Sequence, residues 1–187
     1  MPSASLLRWQ TDRMPRLAEF DQQCAASLAL APANHRLVEE NVRGYIVLLS
    51  AHFQGFCRDL YTESAQVIAS KVRATLRALF QQQFTARIAL DFGNPNIDNL
   101  KRDFGRFGFK LNLTAADSAN HLRLKHLSKL NEFRNIAAHH GTVPPGGLPT
   151  LPDLQLWKSS CDGLAVSLDG IMYNQLRKLL RRVPWPP

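Results

Sequence analysis

The helical period of the apolar residues runs almost unbroken through this chain, and it narrows the available folds more than any other feature. From Val38 to Ile68 the side chains of Val42, Tyr45, Leu48, Leu49, Phe53, Phe56 and Leu60 recur at steps of three and four. That spacing puts them on one face of an α-helix. So many apolar positions mark this as the central, most buried helix of a bundle. Leu17, Phe20, Cys24 and Leu28 repeat the pattern between Pro15 and Leu30; Ala31-Pro32 ends that helix, and Asn34 stands ready to cap the next. Lys71 to Phe84 carries Val72, Leu76, Leu79 and Phe80 beyond a bend. Asn94 as cap and Pro95 as first helical residue start a shorter helix through Ile97, Leu100, Phe104 and Phe107. Asp117 or Ser118 opens a helix bearing Leu122, Leu127, Leu130, Phe133 and Ala137, which the Pro- and Gly-rich stretch from Gly141 to Pro152 stops. Asp153 caps a last helix from Leu154 to Leu180, in which Gly163 and Gly170 either weaken the helix or admit close packing.

No alternating strand, internal repeat or linker stands out. The sequence therefore predicts one all-α domain over residues 1–187, a bundle of about five or six helices, with 183–187 as a non-helical tail. No apolar run approaches the length of a membrane span. The first eight residues lack the charged start, apolar run and small-residue site of a signal peptide, so the expected location is the cytoplasm. Cys24, Cys57 and Cys161 are widely spaced and odd in number. They are expected to be reduced core residues rather than a disulfide framework or a zinc site. With 23 Lys and Arg against 15 Asp and Glu, the formal charge is +8. That balance suits a polyanionic partner, nucleic acid first among them, and equally a basic surface with no specific partner.

The residues with most chemistry lie between Asn131 and Gly141, where Arg134, Asn135, His139 and His140 follow Asn131 at the end of the amphipathic helix. Arg grips a phosphate with a permanent charge and a planar fork of donors. His moves protons near neutral pH. On an ideal helix of about 100° per residue, Arg134 and His139 lie about 140° apart, and Arg134 and His140 about 120° apart in the other sense. Neither histidine stacks on Arg134. Asn131, Asn135 and His139 do form one polar line, so Asn135 is placed to orient His139. Convergence of Arg and His on one phosphate then requires either a distorted helix end or two copies of the helix facing each other across a two-fold axis. The plain alternative is a helix C-terminus whose Arg and His satisfy carbonyls and the helix dipole.

Other polar residues read more simply. His52 on the most apolar helix is a core or interface histidine, Asp59 and Glu63 form a solvated face, and His121 and His126 are exposed. Lys101, Arg102, Arg106 and Lys110, and separately Arg177, Lys178, Arg181 and Arg182, are basic clusters able to track an RNA backbone or simply to face solvent. There is no P-loop, dinucleotide fingerprint, nucleophile elbow or H-E-x-x-H zinc site, so no metal or cofactor is expected.

Three segments together resemble the HEPN superfamily, most closely its RiboL-PSP-HEPN-like branch. They are Tyr45 to Tyr61 with Ser50-Ala51-His52-Phe53 and Arg58-Asp59-Leu60, then Gly93-Asn94-Pro95 through Arg106-Phe107-Gly108, then Leu127 to Gly141 with its R-N-x-x-x-H pattern. The resemblance implies a helical bundle that forms a homodimer, and in many members a metal-independent endoribonuclease, often a toxin with an antitoxin or a defence effector. It assigns the active-site roles to Arg134 and His139, with Asn135 as the polar residue after the Arg. The extra His140 before Gly141 also fits the permitted spacing, so either histidine matches. Some members have lost activity; the alternative that the resemblance leaves is a non-catalytic module binding RNA, a nucleotide or a protein, or a dimerisation domain.

Overall fold

A computed structural model describes residues 2–29, 35–139 and 145–185, and these fold entirely into helices and connecting turns. In chain order they are α1 (Ala4–Arg8), a π-helical turn (Trp9–Arg13), α2 (Met14–Ala29), α3 (His35–Ala69), α4 (Ala74–Thr85), α5 (Ala89–Phe92), α6 (Ile97–Gly105), α7 (Leu113–Ala116), α8 (Asn120–Ala138) and α9 (Leu151–Leu180). The six helices of nine residues or more, α2, α3, α4, α6, α8 and α9, are the ones whose period shows in the sequence. α1, α5 and α7 are too short to display one. None of the described helices is long and apolar enough to cross a membrane.

α3 is the central wall. Tyr45, Ile46, Leu49, Phe53, Phe56, Cys57, Leu60 and Tyr61 are all buried along it. α9 presents Leu154, Trp157, Cys161, Leu164, Leu168 and Met172, while α8 adds Leu127 and Leu130. α8 packs on both α3 and α9, and α2 on both as well. Gly163 serves close packing: a side chain there would run into the Arg123 guanidinium of α8, whereas Gly170 has open space around its Cα. All three cysteines are free and buried. Burial raises each thiol above its usual range, which disfavours the thiolate a nucleophile needs.

The N-terminal segment closes one side. Trp9 sits against Phe53 and Phe56 with ring centroids 5.9 and 5.7 Å away, and its indole N–H donates to Asp162 at 2.9 Å. Asp59 and Glu63 are not the solvated face expected of them. Asp59 accepts from Arg8 (3.1 Å) and Arg13 (2.7 Å). Glu63 accepts the Ala4 and Ser5 N–H groups (both 2.9 Å) and the Ser5 hydroxyl (2.6 Å). It thereby satisfies N–H groups at the start of α1 that no helical carbonyl reaches. Spacing within one helix cannot show partners that lie more than forty residues away.

Helix starts also differ in detail from expectation. Asn96, not Asn94, caps α6, its Oδ1 accepting the Asn99 N–H at 2.8 Å, and Pro95 stays in the loop. Thr150 caps α9, and Asp153 is the third-residue partner of a capping box rather than the cap. α8 begins at Asn120; Asp117 supports that start by accepting the Ala119 N–H at 2.9 Å and pairing with Arg123 at 2.5 Å. α3 ends at Ala69, and α4 is a separate helix. Trp185 of the tail is buried, at 2% exposure. Asn34 lies outside the described residues.

Ser3 joins the N-terminus to α9 by donating its N–H to Asp169 at 3.1 Å. Burial raises the Asp169 carboxyl above the usual 3.8, more than the Ser3 hydrogen bonds lower it. An acid whose pKa is higher in the folded state binds more protons folded than unfolded, so its contribution to stability falls as pH rises through that interval. Asp169→Asn, which keeps an acceptor without the charge, is expected to gain stability relative to wild type between acid and neutral pH. Urea melts across that range check it, and a difference that does not change with pH counts against the assignment.

Candidate functional site

The connection between α4 and α6 is built from carbonyl and N–H groups that no helix satisfies, and side chains from elsewhere supply their partners. The Asp103 carboxylate, at 0% exposure, accepts the Ala89 and Leu90 N–H groups at 2.8 Å each. Gln54 of α3 donates to the Leu90 (2.6 Å) and Gly93 (3.0 Å) carbonyls. Arg106 donates to the carbonyls of Phe84 (3.3 Å), Ala86 (2.9 Å) and Arg87 (2.9 Å). Phe107 packs on Tyr61 and Phe84 at 4.9 and 5.4 Å. Gly108 takes φ +85°, a conformation glycine adopts without penalty. Each residue of the Arg106-Phe107-Gly108 stretch thus has a local structural task.

This corner aims Asn94 at α8. Asn99 fixes the Asn94 carbonyl at 2.8 Å, and the Asn94 amide donates to Asn135 Oδ1 at 2.9 Å. The three segments singled out in the sequence therefore meet: Gln54 from the first holds Gly93 of the second, and Asn94 of the second holds Asn135 of the third.

Arg134 is half-buried near the end of α8, and Asn135 and His139 are exposed. The Arg134 Nη1 lies 3.4 Å from the same Asn135 Oδ1, a long hydrogen bond. The Asn135 side chain is thus engaged by Asn94 and Arg134, while its backbone carbonyl accepts the His139 N–H at 3.2 Å. α8 is helical through Ala138, and His139 leaves the helical path with φ −111° and ψ 14°. The ideal-helix angle between Arg134 and His139 accordingly does not carry over. His140 lies outside the described residues.

Asn131, one turn before Asn135, is only 7% exposed, and neither atom of its amide has a hydrogen-bond partner among the described residues. It lines a cavity of about 370 Å³ with Asn94, Asn96, Asp98, Ser128 and Asn135. The polar line along α8 is thus split, its inner end sealed and its outer end open.

The other candidates separate from this site. His52 is half-buried, and desolvation, then Arg13 and Arg16, lower its pKa. His126 is half-buried rather than exposed, with Nδ1 2.7 Å from Ser160 Oγ. Among the described residues no three His, Cys, Asp or Glu side chains gather as metal ligands would. Sequence reasoning missed Asn94 and Gln54 as positioning residues. Asn94 was hidden by its fitness as a cap; for Gln54 no local signal exists. Compared with protein-family models, curated proteins and solved structures, the chain matches none.

Asp103→Ala orphans two buried N–H groups that now bond a charged acceptor, so a loss of about 3 kcal/mol is expected in urea unfolding; a loss under about 1 kcal/mol sinks this account. Asn131→Leu replaces an unpaired buried amide by an apolar group of similar volume and is expected to stabilise by about 1 kcal/mol. Destabilisation there would reveal a partner for the amide in the assembled protein.

Proposed function

We propose that this protein is a metal-independent endoribonuclease of the HEPN type, acting as a homodimer in the cytoplasm, with a role as a toxin or defence effector held in check by an antitoxin or other protein. The observation that carries the reading is the open end of α8. There Arg134 leans on an Asn135 that the Gly93-Asn94-Pro95 corner anchors, and His139 has just left the helix. The net charge of +8 suits an RNA substrate.

In this mechanism the RNA 2′-oxygen attacks the adjacent phosphorus and the bond to the 5′-oxygen breaks. A general base takes the 2′-hydroxyl proton, and a general acid protonates the departing 5′-oxygen. His139 or His140 fills these roles, the second one drawn from the same chain or from its partner copy. Arg134 stabilises the charge that builds on the non-bridging oxygens. The products are a 2′,3′-cyclic phosphate and a 5′-hydroxyl. DNA, lacking the 2′-hydroxyl, is not cut.

One observation favours a second reading. The polar partner of Arg134 among the described residues is an amide rather than a base. Such a pair can hold a phosphate without cleaving beside it, as a binding module would.

Labelled RNA incubated with excess chelator separates the two. Cleavage is expected to persist, and to fall about 100- to 10,000-fold in His139→Ala or His140→Ala, and comparably in Arg134→Ala, with helicity unchanged by circular dichroism. Loss of cleavage on chelation rejects the mechanism, and binding without cleavage by any variant supports the module.

A further inference from the structure

On the far side of the same corner lies a second concavity, of about 630 Å³, lined by Arg87, Phe92, Gly93, Asn99, Arg102 and Arg106. Its chemistry is unlike that of the α8 end. Phe92 is 83% exposed, more than any other large apolar side chain described. Arg87 and Arg102 are exposed, and neither forms an ion pair among the described residues. Among the described residues the Arg102 guanidinium makes one hydrogen bond, to the Asn99 amide oxygen at 3.1 Å. Arg106 is spent on three carbonyls and leaves its charge in the wall. Of the nearby carboxylates, Asp91 is paired with Arg58 at 2.8 Å, and Asp103 lies beneath the wall on backbone N–H groups. Asp98, one turn before Arg102 on α6, forms no ion pair with it among the described residues; Arg87, Arg102 and Arg106 still outnumber Asp98 and Asp103 there. Arg87 also holds φ +52°, a left-handed conformation that costs a non-glycine residue about 1 kcal/mol.

A lone exposed phenylalanine means little. One set among unpaired guanidinium groups in a concave surface has the makings of a single-strand platform, where a base stacks on the ring and cations take the phosphates on either side. We propose that this concavity binds single-stranded RNA next to the cleaved linkage, with Phe92 stacking one unpaired base and Arg87 and Arg102 holding its flanking phosphates. That the strand is RNA rests on the function proposed above; the platform rests on its own geometry. Phe92 and Asn94 are two residues apart, at most about 7 Å of backbone. The platform and the α8 site are therefore the two ends of one corner, joined by the Asn99–Asn94–Asn135 hydrogen bonds.

The test uses the full chain carrying Arg134→Ala, so that the probe survives. A fluorescein-labelled ten-nucleotide oligouridylate is titrated by anisotropy over a range of NaCl concentrations. Phe92→Ala is expected to weaken binding about 5- to 150-fold, and Phe92→Trp to restore it with quenching of the added indole. Arg87→Ala with Arg102→Ala is expected to reduce the steepness of log K against log salt by about 1.4. Affinity unchanged in Phe92→Ala overturns the proposal. Displacement of the probe by inorganic phosphate at matched phosphate concentration also overturns it, leaving a site for free anions. The outcomes stay distinct from the nuclease test. If wild type cuts RNA through Arg134 and His139 while Phe92→Ala binds and cuts normally, the platform alone fails. If no RNA is cut but the Phe92 and arginine effects hold, the nuclease reading alone fails.

Discussion

A buried carboxylate with no ion-pair partner among the described residues holds the candidate-site end of this molecule together. Asp103 is sealed from water and bonded to two backbone N–H groups at the start of α5. Charged acceptors make stronger hydrogen bonds than neutral ones, and the cost of burying them is repaid only when their lone pairs are met. Gln54 and Arg106 treat the carbonyls of the same connection in the opposite sense, as donors. An irregular stretch that would otherwise leave polar backbone unsatisfied becomes a fixed corner, with Asn94 facing α8 and Phe92 facing solvent.

The same logic recurs where the bundle is closed. Asp21 accepts the Tyr45 hydroxyl and pairs with Lys158, tying α2 to α3 and α9. Burial, and then the Asp21 hydrogen bond, raise the Tyr45 phenol well above its usual range, so it stays a neutral donor. Gly55 leaves room for the Arg13 guanidinium, which reaches the His52 carbonyl at 2.9 Å and Asp59 on the next turn. Small residues on the long helices thus make room for arginines that fasten neighbouring segments.

How much of this could be read from the sequence depended on whether the signal was local. The apolar period of α2, α3, α8 and α9 is local, and the helices stand where it put them. Helix starts were less legible, because Asn94 and Asn96, or Thr150 and Asp153, are all competent caps and tertiary packing chooses between them. The roles of Asp59, Glu63 and Gln54 have no local signature, since their partners lie at the N-terminus or across the corner. At the α8 end, angular arithmetic assumed a helix through His139, whereas the helix stops at Ala138. It also offered Asn135 to His139, whereas the amide goes to Asn94, forty-one residues away in sequence.

α4 differs from the other long helices in having no buried residue. What fastens it is concentrated at its C-terminal end, where Phe84 stacks with Phe107 and gives its carbonyl to Tyr61 and Arg106. Detaching it would expose little of the hydrophobic core, so its opening is energetically separable from global unfolding. α4 is therefore the long helix whose local opening asks least of the core, and it is anchored on the same arginine that braces the corner.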